Sequence, residues 1–178
     1  MAHPIKHFKV ITRHRHKVII HTAKCGILRQ GLLHDLSKYS PSEFIPGAKY
    51  FSGTKSPNVA ERHNNGYSKA WLHHQGRNKH HFEYWKDYNP QTNKYESVKM
   101  PYKYVAEMFC DRVAASKIYQ GDKYTDKHPL EYFMLAKNRR LIHPETSDEL
   151  EELLIMLSEK GEKDTFKYIK NKLKNNKD

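Results

Sequence analysis

Chemistry in this chain gathers at Gly31-Leu32-Leu33-His34-Asp35-Leu36-Ser37-Lys38. An apolar run delivers adjacent His and Asp, and a lysine follows the aspartate by three residues. Neutral imidazole suits a transition metal, and carboxylate suits a hard or borderline one. The lysine offers charge to an anionic substrate. A His-Asp dipeptide alone carries little weight, so the question is whether the chain supplies more ligands. His14, His74, His81 and Asp111 are the candidates.

The elements that must position them read as helices. Pro4 to Cys25 carries an apolar stripe opened by Ile5, Phe8 and Ile11, and Pro4 suits a first helical turn. His14, Val18, His21 and Cys25 follow at spacings of four, three and four, so they share a face. His16 points elsewhere but competes with His14. Ile27 to Tyr39 reads as a second helix, with Leu28, Leu32 and Asp35 aligned inward. Ser40-Pro41-Ser42-Glu43 has the form of a capping box, opening a helix that ends at Pro46-Gly47 or soon after. Residues 49–66 are turn-rich and read as a long excursion with a short helix near Val59.

Tyr67, Ala70, Trp71 and His74 fall at i, i+3, i+4 and i+7, which turns His74 rather than His73 inward. After Gly76 another helix is expected, with Asn78, His81, Phe82 and Trp85 on one side and His80 elsewhere. Residues 88–99 read as a polar loop. Met100-Pro101 restarts a helix to about Tyr119, on which Tyr104, Glu107, Met108, Asp111, Ala115 and Ile118 share a face. A carboxylate among apolar neighbours is costly unless paired or metal-bound; an ion pair with Arg112 is the plainer alternative. Pro129 opens a helix with Leu130, Phe133, Met134 and Leu141 as its stripe. Thr146 to Glu149 reads as a capping box before Leu150, Leu153, Leu154 and Leu157. A last helix carries Phe166, Ile169 and Leu173, and residues 172–178 are expected to fray.

The 178 residues fit one domain of all-α class, with a ligand-bearing core over about 10–120 and structural helices over about 129–175. Net charge of +12 favours anionic partners. Cys25 and Cys110 lie far apart in no paired motif, which argues against a disulfide framework or cysteine zinc site and suits reduced thiols in a cytoplasmic protein. No window is apolar enough to span a bilayer, and no membrane partner is expected.

The order His14, His34-Asp35, Asp111, all on helices, resembles the HD superfamily of metal-dependent phosphohydrolases. Val18 four residues after His14, and Leu32-Leu33 before the His-Asp pair, match its pattern. Lys38 and the doubled histidines resemble the HD-GYP-like branch, although the HD-GYP tripeptide is absent. The segments 30–44 and 70–81 look like an uncharacterised HD-like family of bacterial and phage proteins. The resemblance implies an all-α HD-like bundle and hydrolysis of a phosphate ester, such as a nucleotide, a cyclic nucleotide or another phosphorylated small molecule. One or two divalent transition-metal ions (Mn, Fe, Co, Ni or Zn) would serve as cofactor. His14, His34, Asp35 and Asp111 would hold one ion, and Asp35 would bridge to a second on His74 and His81. Asp35 and Lys38 would be catalytic, Lys38 would contact a phosphate oxygen, and Arg77 or Lys79 would help. Glu107 and Glu83 are candidates to orient ligand histidines.

The rival expectation is a basic helical nucleic-acid-binding protein whose histidines are structural or hold a stabilising metal. Its support is the net charge, with Tyr and Trp interleaved among basic residues.

Overall fold

A computed structural model describes residues 2–137 and 140–175. About 70% of it is helical, in eight α-helices with a two-stranded sheet, so the chain is mostly all-α as expected. The α-helices are α1 (Pro4–Lys24), α2 (Leu28–Leu33), α3 (Pro41–Lys49), α4 (Pro57–Asn65), α5 (Lys69–Gln75), α6 (Tyr102–Gln120), α7 (His128–Met134) and α8 (Pro144–Asn175). Strands β1 (Lys86–Asn89) and β2 (Lys94–Ser97) pair antiparallel, with Tyr88 opposite Tyr95. Among the described residues no helix is long and apolar enough to cross a membrane.

Helix α6 is the axle. Six consecutive interior positions need no single apolar stripe here, because Val105, Ala106, Glu107, Met108, Phe109 and Cys110 are all buried. A helix buried on every side is one that neighbours surround. Val18 and Cys25 of α1, Phe133 of α7, and Leu150, Leu153, Leu154 and Leu157 of α8 close the apolar core around it. Gly161 takes φ 76° and ψ 176°, which breaks α8 into two segments. The Tyr168 hydroxyl donates to Glu152 at 2.6 Å, so the second segment folds back on the first. Phe166 and Ile169 thereby join the core.

Several expectations change. The predicted helix over 27–39 is interrupted: α2 stops at Leu33, and a 3-10 turn covers Leu36–Tyr39. Leu28 and Leu32, expected to face inward, are exposed with Leu33 and Leu36. The excursion at 49–66 does carry a short helix around Val59, as expected, and α4 fills its second half. Residues 77–85 form turns and a short 3-10 segment (Phe82–Tyr84) instead of a helix. The polar loop at 88–99 holds most of the hairpin, whose residues are mostly exposed and so leave no apolar alternation to read. Met134 and Leu141 are exposed, leaving Phe133 as the deeply buried anchor of its stripe.

Both capping boxes also resolve differently. Helix α3 starts at Pro41 as expected and runs past Pro46 to Lys49, but Ser40 makes no side-chain cap bond. Helix α8 starts at Pro144, before Thr146. Thr146 Oγ1 instead accepts the buried Met100 N–H at 3.0 Å, tying the entry of α6 to α8. The frayed tail predicted for 172–178 is helical as far as Asn175, and 176–178 lie outside the described residues.

Helix α2 can approach α1 closely because position 31 is glycine. A Cβ there would sit 1.9 Å from Thr22 Oγ1 and 3.3 Å from Ile19 Cα. Gly31→Ala should therefore destabilise the fold by about 1–3 kcal/mol, the usual cost of overpacking. Adding Thr22→Ala should recover part of that loss in urea unfolding, because it removes the nearer clash.

His21 supplies a pH dependence remote from the ligand candidates. Burial, then Lys117, lowers its pKa from 6.5 to about 4, although its Nδ1 meets the Cys110 carbonyl at 3.3 Å. The unfolded chain binds a proton below about pH 6.5 that the folded chain refuses until about pH 4. Stability must fall with pH across that window. Between pH 7 and pH 5 the His21 contribution should be on the order of 2 kcal/mol. Urea midpoints at the two pH values should differ less in His21→Leu than in the wild type.

Candidate metal centre

The chain breaks its helix at the residues that matter most. His34 is extended (φ −55°, ψ 129°), and Asp35 adopts the left-handed region (φ 56°, ψ 20°). Adjacent residues on a helix diverge by about 100°. The break removes that divergence and lets both side chains reach inward. Asp tolerates left-handed backbone better than most residues. Arg15 secures the break from α1: its Nε donates to the His34 carbonyl at 3.2 Å, and its Nη2 donates to the Leu32 carbonyl.

Asp35 lies at the centre of the cluster, 2% exposed. Its two oxygens face different partners. Oδ2 lies 3.3 Å from His34 Nε2, 3.8 Å from His14 Nε2 and 2.6 Å from Lys38 Nζ. Oδ1 lies 3.2 Å from His74 Nε2 and 3.5 Å from His80 Nε2. Asp111 completes the first side, with Oδ1 2.9 Å from His14 Nε2 and 3.7 Å from His34 Nε2. His81 completes the second, its Nε2 2.9 Å from His74 Nε2.

Two four-residue groups thus share Asp35: His14, His34, Asp35 and Asp111, and Asp35, His74, His80 and His81. In each, the donor atoms lie within 4.8 Å of one another, and each group could hold a metal ion. Burial without hydrogen bonding points the same way. His14 Nε2, His34 Nε2, His80 Nε2 and both Asp35 oxygens are buried without a well-directed hydrogen bond, the closest approaches being the ion pairs from Lys38 to Oδ2 and from Asp111 to His14. Polar atoms in such a state cost about 1–3 kcal/mol each unless something satisfies them. Here all five belong to the same cluster.

The ligand histidines are oriented from behind. Glu107 Oε1 meets His34 Nδ1 at 2.9 Å and His80 Nδ1 at 3.2 Å, while Gln30 Nε2 donates to Glu107 Oε2 at 2.9 Å. Glu43 Oε2 meets His74 Nδ1 at 2.7 Å, and its Oε1 meets His73 Nδ1 at 2.6 Å. Each of these ligands therefore turns Nε2 toward Asp35, the arrangement that holds metal-binding imidazoles in place. Helix α5 is set for this by Ser68, whose Oγ accepts the Trp71 N–H at 3.0 Å and donates to Glu61 at 2.5 Å. At its other end Asn78 Nδ2 donates to the His74 carbonyl at 2.8 Å and to Ser37 Oγ at 2.9 Å.

The field in the cluster favours positive charge. Burial opposes ionised His34, yet Asp35, Asp111 and Glu107 outweigh it and raise its pKa well above the usual value. His74 is raised against burial by Asp35 and Glu43. Burial would raise Glu107, but hydrogen bonds from His34 and His80 hold it at about 2. Lys38 stays charged because Asp35 and Asp111 overcome its desolvation. His80 and His81 go the other way: burial, then neighbouring imidazoles, lowers both pKa values. Neutral rings with a free nitrogen are what a metal requires of histidine.

His14, His34, Asp35, His74, His81 and Asp111 are all brought together, and His16 stays exposed. His80, expected to point elsewhere, is a member at 2% exposure. That expectation rested on helical periodicity where no helix exists, so its angular argument failed. Glu43 was hidden by its fit to a capping box. Glu83, a candidate to orient a histidine, instead buries Oε2 without a partner. Asp111 makes no ion pair with Arg112 among the described residues; it turns to His14 and His34. Arg77 is exposed, its guanidinium donating to the His73 carbonyl at 3.2 Å. Lys79 lies over the rings of Tyr84 and Tyr104.

Because Glu107 and Glu43 touch ligands without joining either group around Asp35, Glu107→Gln and Glu43→Gln should keep the helical fold and weaken metal affinity by about 10–100-fold. Metal titration followed by calorimetry, with circular dichroism as the folding check, measures both parts.

No curated protein and no solved structure matches the chain. A family model does, over residues 3–156, a span that holds every ligand candidate together with Glu43 and Glu107; the chain belongs to the family described as a family of unknown function (DUF5662).

Proposed function

We propose that this protein hydrolyses a phosphate ester with the help of one or two divalent transition-metal ions. The observation that carries the reading is the division of the buried Asp35 carboxylate, one oxygen toward His14 and His34, the other toward His74 and His80. A shared carboxylate between two mixed nitrogen and oxygen donor sets is the arrangement a paired-metal hydrolase uses. The likeness of the ligand order to the HD superfamily supports the same reading. Mixed imidazole and carboxylate ligation fits Mn, Fe, Co, Ni or Zn.

When bound, such ions polarise phosphoryl oxygens and lower the pKa of water. The chain's own residues do the rest. His14, His34, Asp35 and Asp111 would hold one ion, and Asp35, His74, His80 and His81 would hold a second. Glu107 and Glu43 fix ring orientation. Lys38, charged and partly open at 32% side-chain exposure, would meet a phosphate oxygen beside Asp35. That contact would offset charge developing in the transition state.

The test starts with elemental analysis of purified protein and a screen of nucleotides, cyclic nucleotides and oligonucleotides with added Mn²⁺, Fe²⁺, Co²⁺ or Ni²⁺. The wild type should bind one or two ions per chain and release phosphate or a phosphomonoester. His34→Ala and Asp35→Ala should lose metal and lower turnover by at least about 10²–10³-fold, the scale of removing a main electrostatic group. Lys38→Gln should retain metal and lose turnover. Unchanged metal content and activity in Asp35→Ala would overturn the reading.

A further inference from the structure

The outward leucines of α2 need an explanation that the metal centre does not supply. Leu28, Leu32, Leu33 and Leu36 are exposed in succession, Leu33 at 61%. They lie on the segment that leads to and follows His34 and Asp35, and Arg15 binds this segment to α1 through the Leu32 and His34 carbonyls. On α1 itself Ile20 is 55% exposed. Single exposed apolar residues are ordinary, but four of them along α2 and the turn that follows it mark a contact surface.

Charge says what kind of contact. The first 34 residues contain Lys6, Lys9, Arg13, Arg15, Lys17, Lys24 and Arg29 and not one carboxylate. The first acid is Asp35, and it is buried. Lys6, Lys9, Arg13 and Lys24 all lie exposed on α1. Such a face repels a second copy of itself. It attracts a surface that is anionic and also accepts leucine.

We propose that the α1–α2 face docks on an anionic lipid bilayer, with the leucines entering the headgroup boundary and the α1 cations meeting lipid phosphates. This combination of basic and aliphatic side chains is how a protein lies on a membrane without spanning it. Nucleic acid would use the same cations but leaves the leucines in water. Because Leu33 and Leu36 flank His34 and Asp35, docking brings the metal centre close to the lipid surface.

Co-sedimentation with vesicles tests this without reference to catalysis. The full chain should pellet with equimolar phosphatidylcholine and phosphatidylglycerol, stay in solution with phosphatidylcholine alone, and lose binding as salt screens charge. Lys9→Gln and Arg13→Gln should each weaken partitioning by about fivefold. Leu33→Ser, at an exposed position where folding is not at stake, should weaken it by about tenfold. Lys167→Gln, on the exposed side of α8, should leave it unchanged. Failure of the wild type to pellet with anionic vesicles overturns the proposal. So does a Leu33→Ser variant that binds as the wild type does while the α1 variants fail, which would point to charge alone and to nucleic acid. The metal-site variants of the preceding section should sediment like the wild type, so neither idea stands or falls with the other.

Discussion

Burial of the Asp35 carboxylate is the constraint to which the surrounding structure answers. An ionised carboxylate removed from water is expensive unless positive charge and hydrogen-bond donors surround it. Lys38 supplies a permanent charge at 2.6 Å. Imidazoles from α1, from the end of α2, from α5 and from the turn after α5 fill the remaining approaches. The left-handed backbone at Asp35 and the Gly31 contact with α1 are local costs that make this convergence geometrically possible.

The apolar core and the polar cluster meet along α6. One side of that helix, through Phe109, Cys110 and Val113, joins α7 and α8. Another presents Glu107 and Asp111 to the histidines. A helix held rigidly by its hydrophobic contacts is a firm base for two carboxylates whose positions must be accurate. Glu43 performs the matching task on the opposite flank, from α3. The two glutamates govern ring orientation, so affinity for a metal depends on residues that do not themselves reach the shared Asp35.

Much of this was legible in the chain. The spacing of His14 and Val18 on α1, of Ala70, Trp71 and His74 on α5, and the position of Asp111 on α6 all followed from helical periodicity, because those segments are regular helices. Periodicity failed where the backbone is irregular. His80 and His81 sit in turns, where neighbouring side chains need not diverge, so both reach the centre. Glu43 satisfied a local capping pattern and was read as local, although its partners lie 30 and 31 residues away. Leu28 and Leu32 looked like core residues, since apolarity alone does not say which side of a short helix is covered.

By itself the sequence determined the helical class, the ligand types, the ligand order and the excess of positive charge in the first 34 residues. These follow from composition and from spacing along single helices, which are local properties. Only the tertiary structure decided that one aspartate divides its oxygens between two donor groups, that His80 belongs to one of them, and that the leucines beside it face outward. Those outcomes depend on how separate elements approach one another. A break of helix at Asp35, stabilised by contacts from α1, α5 and α6, turns neighbouring residues toward a common point in a way no single segment's periodicity contains.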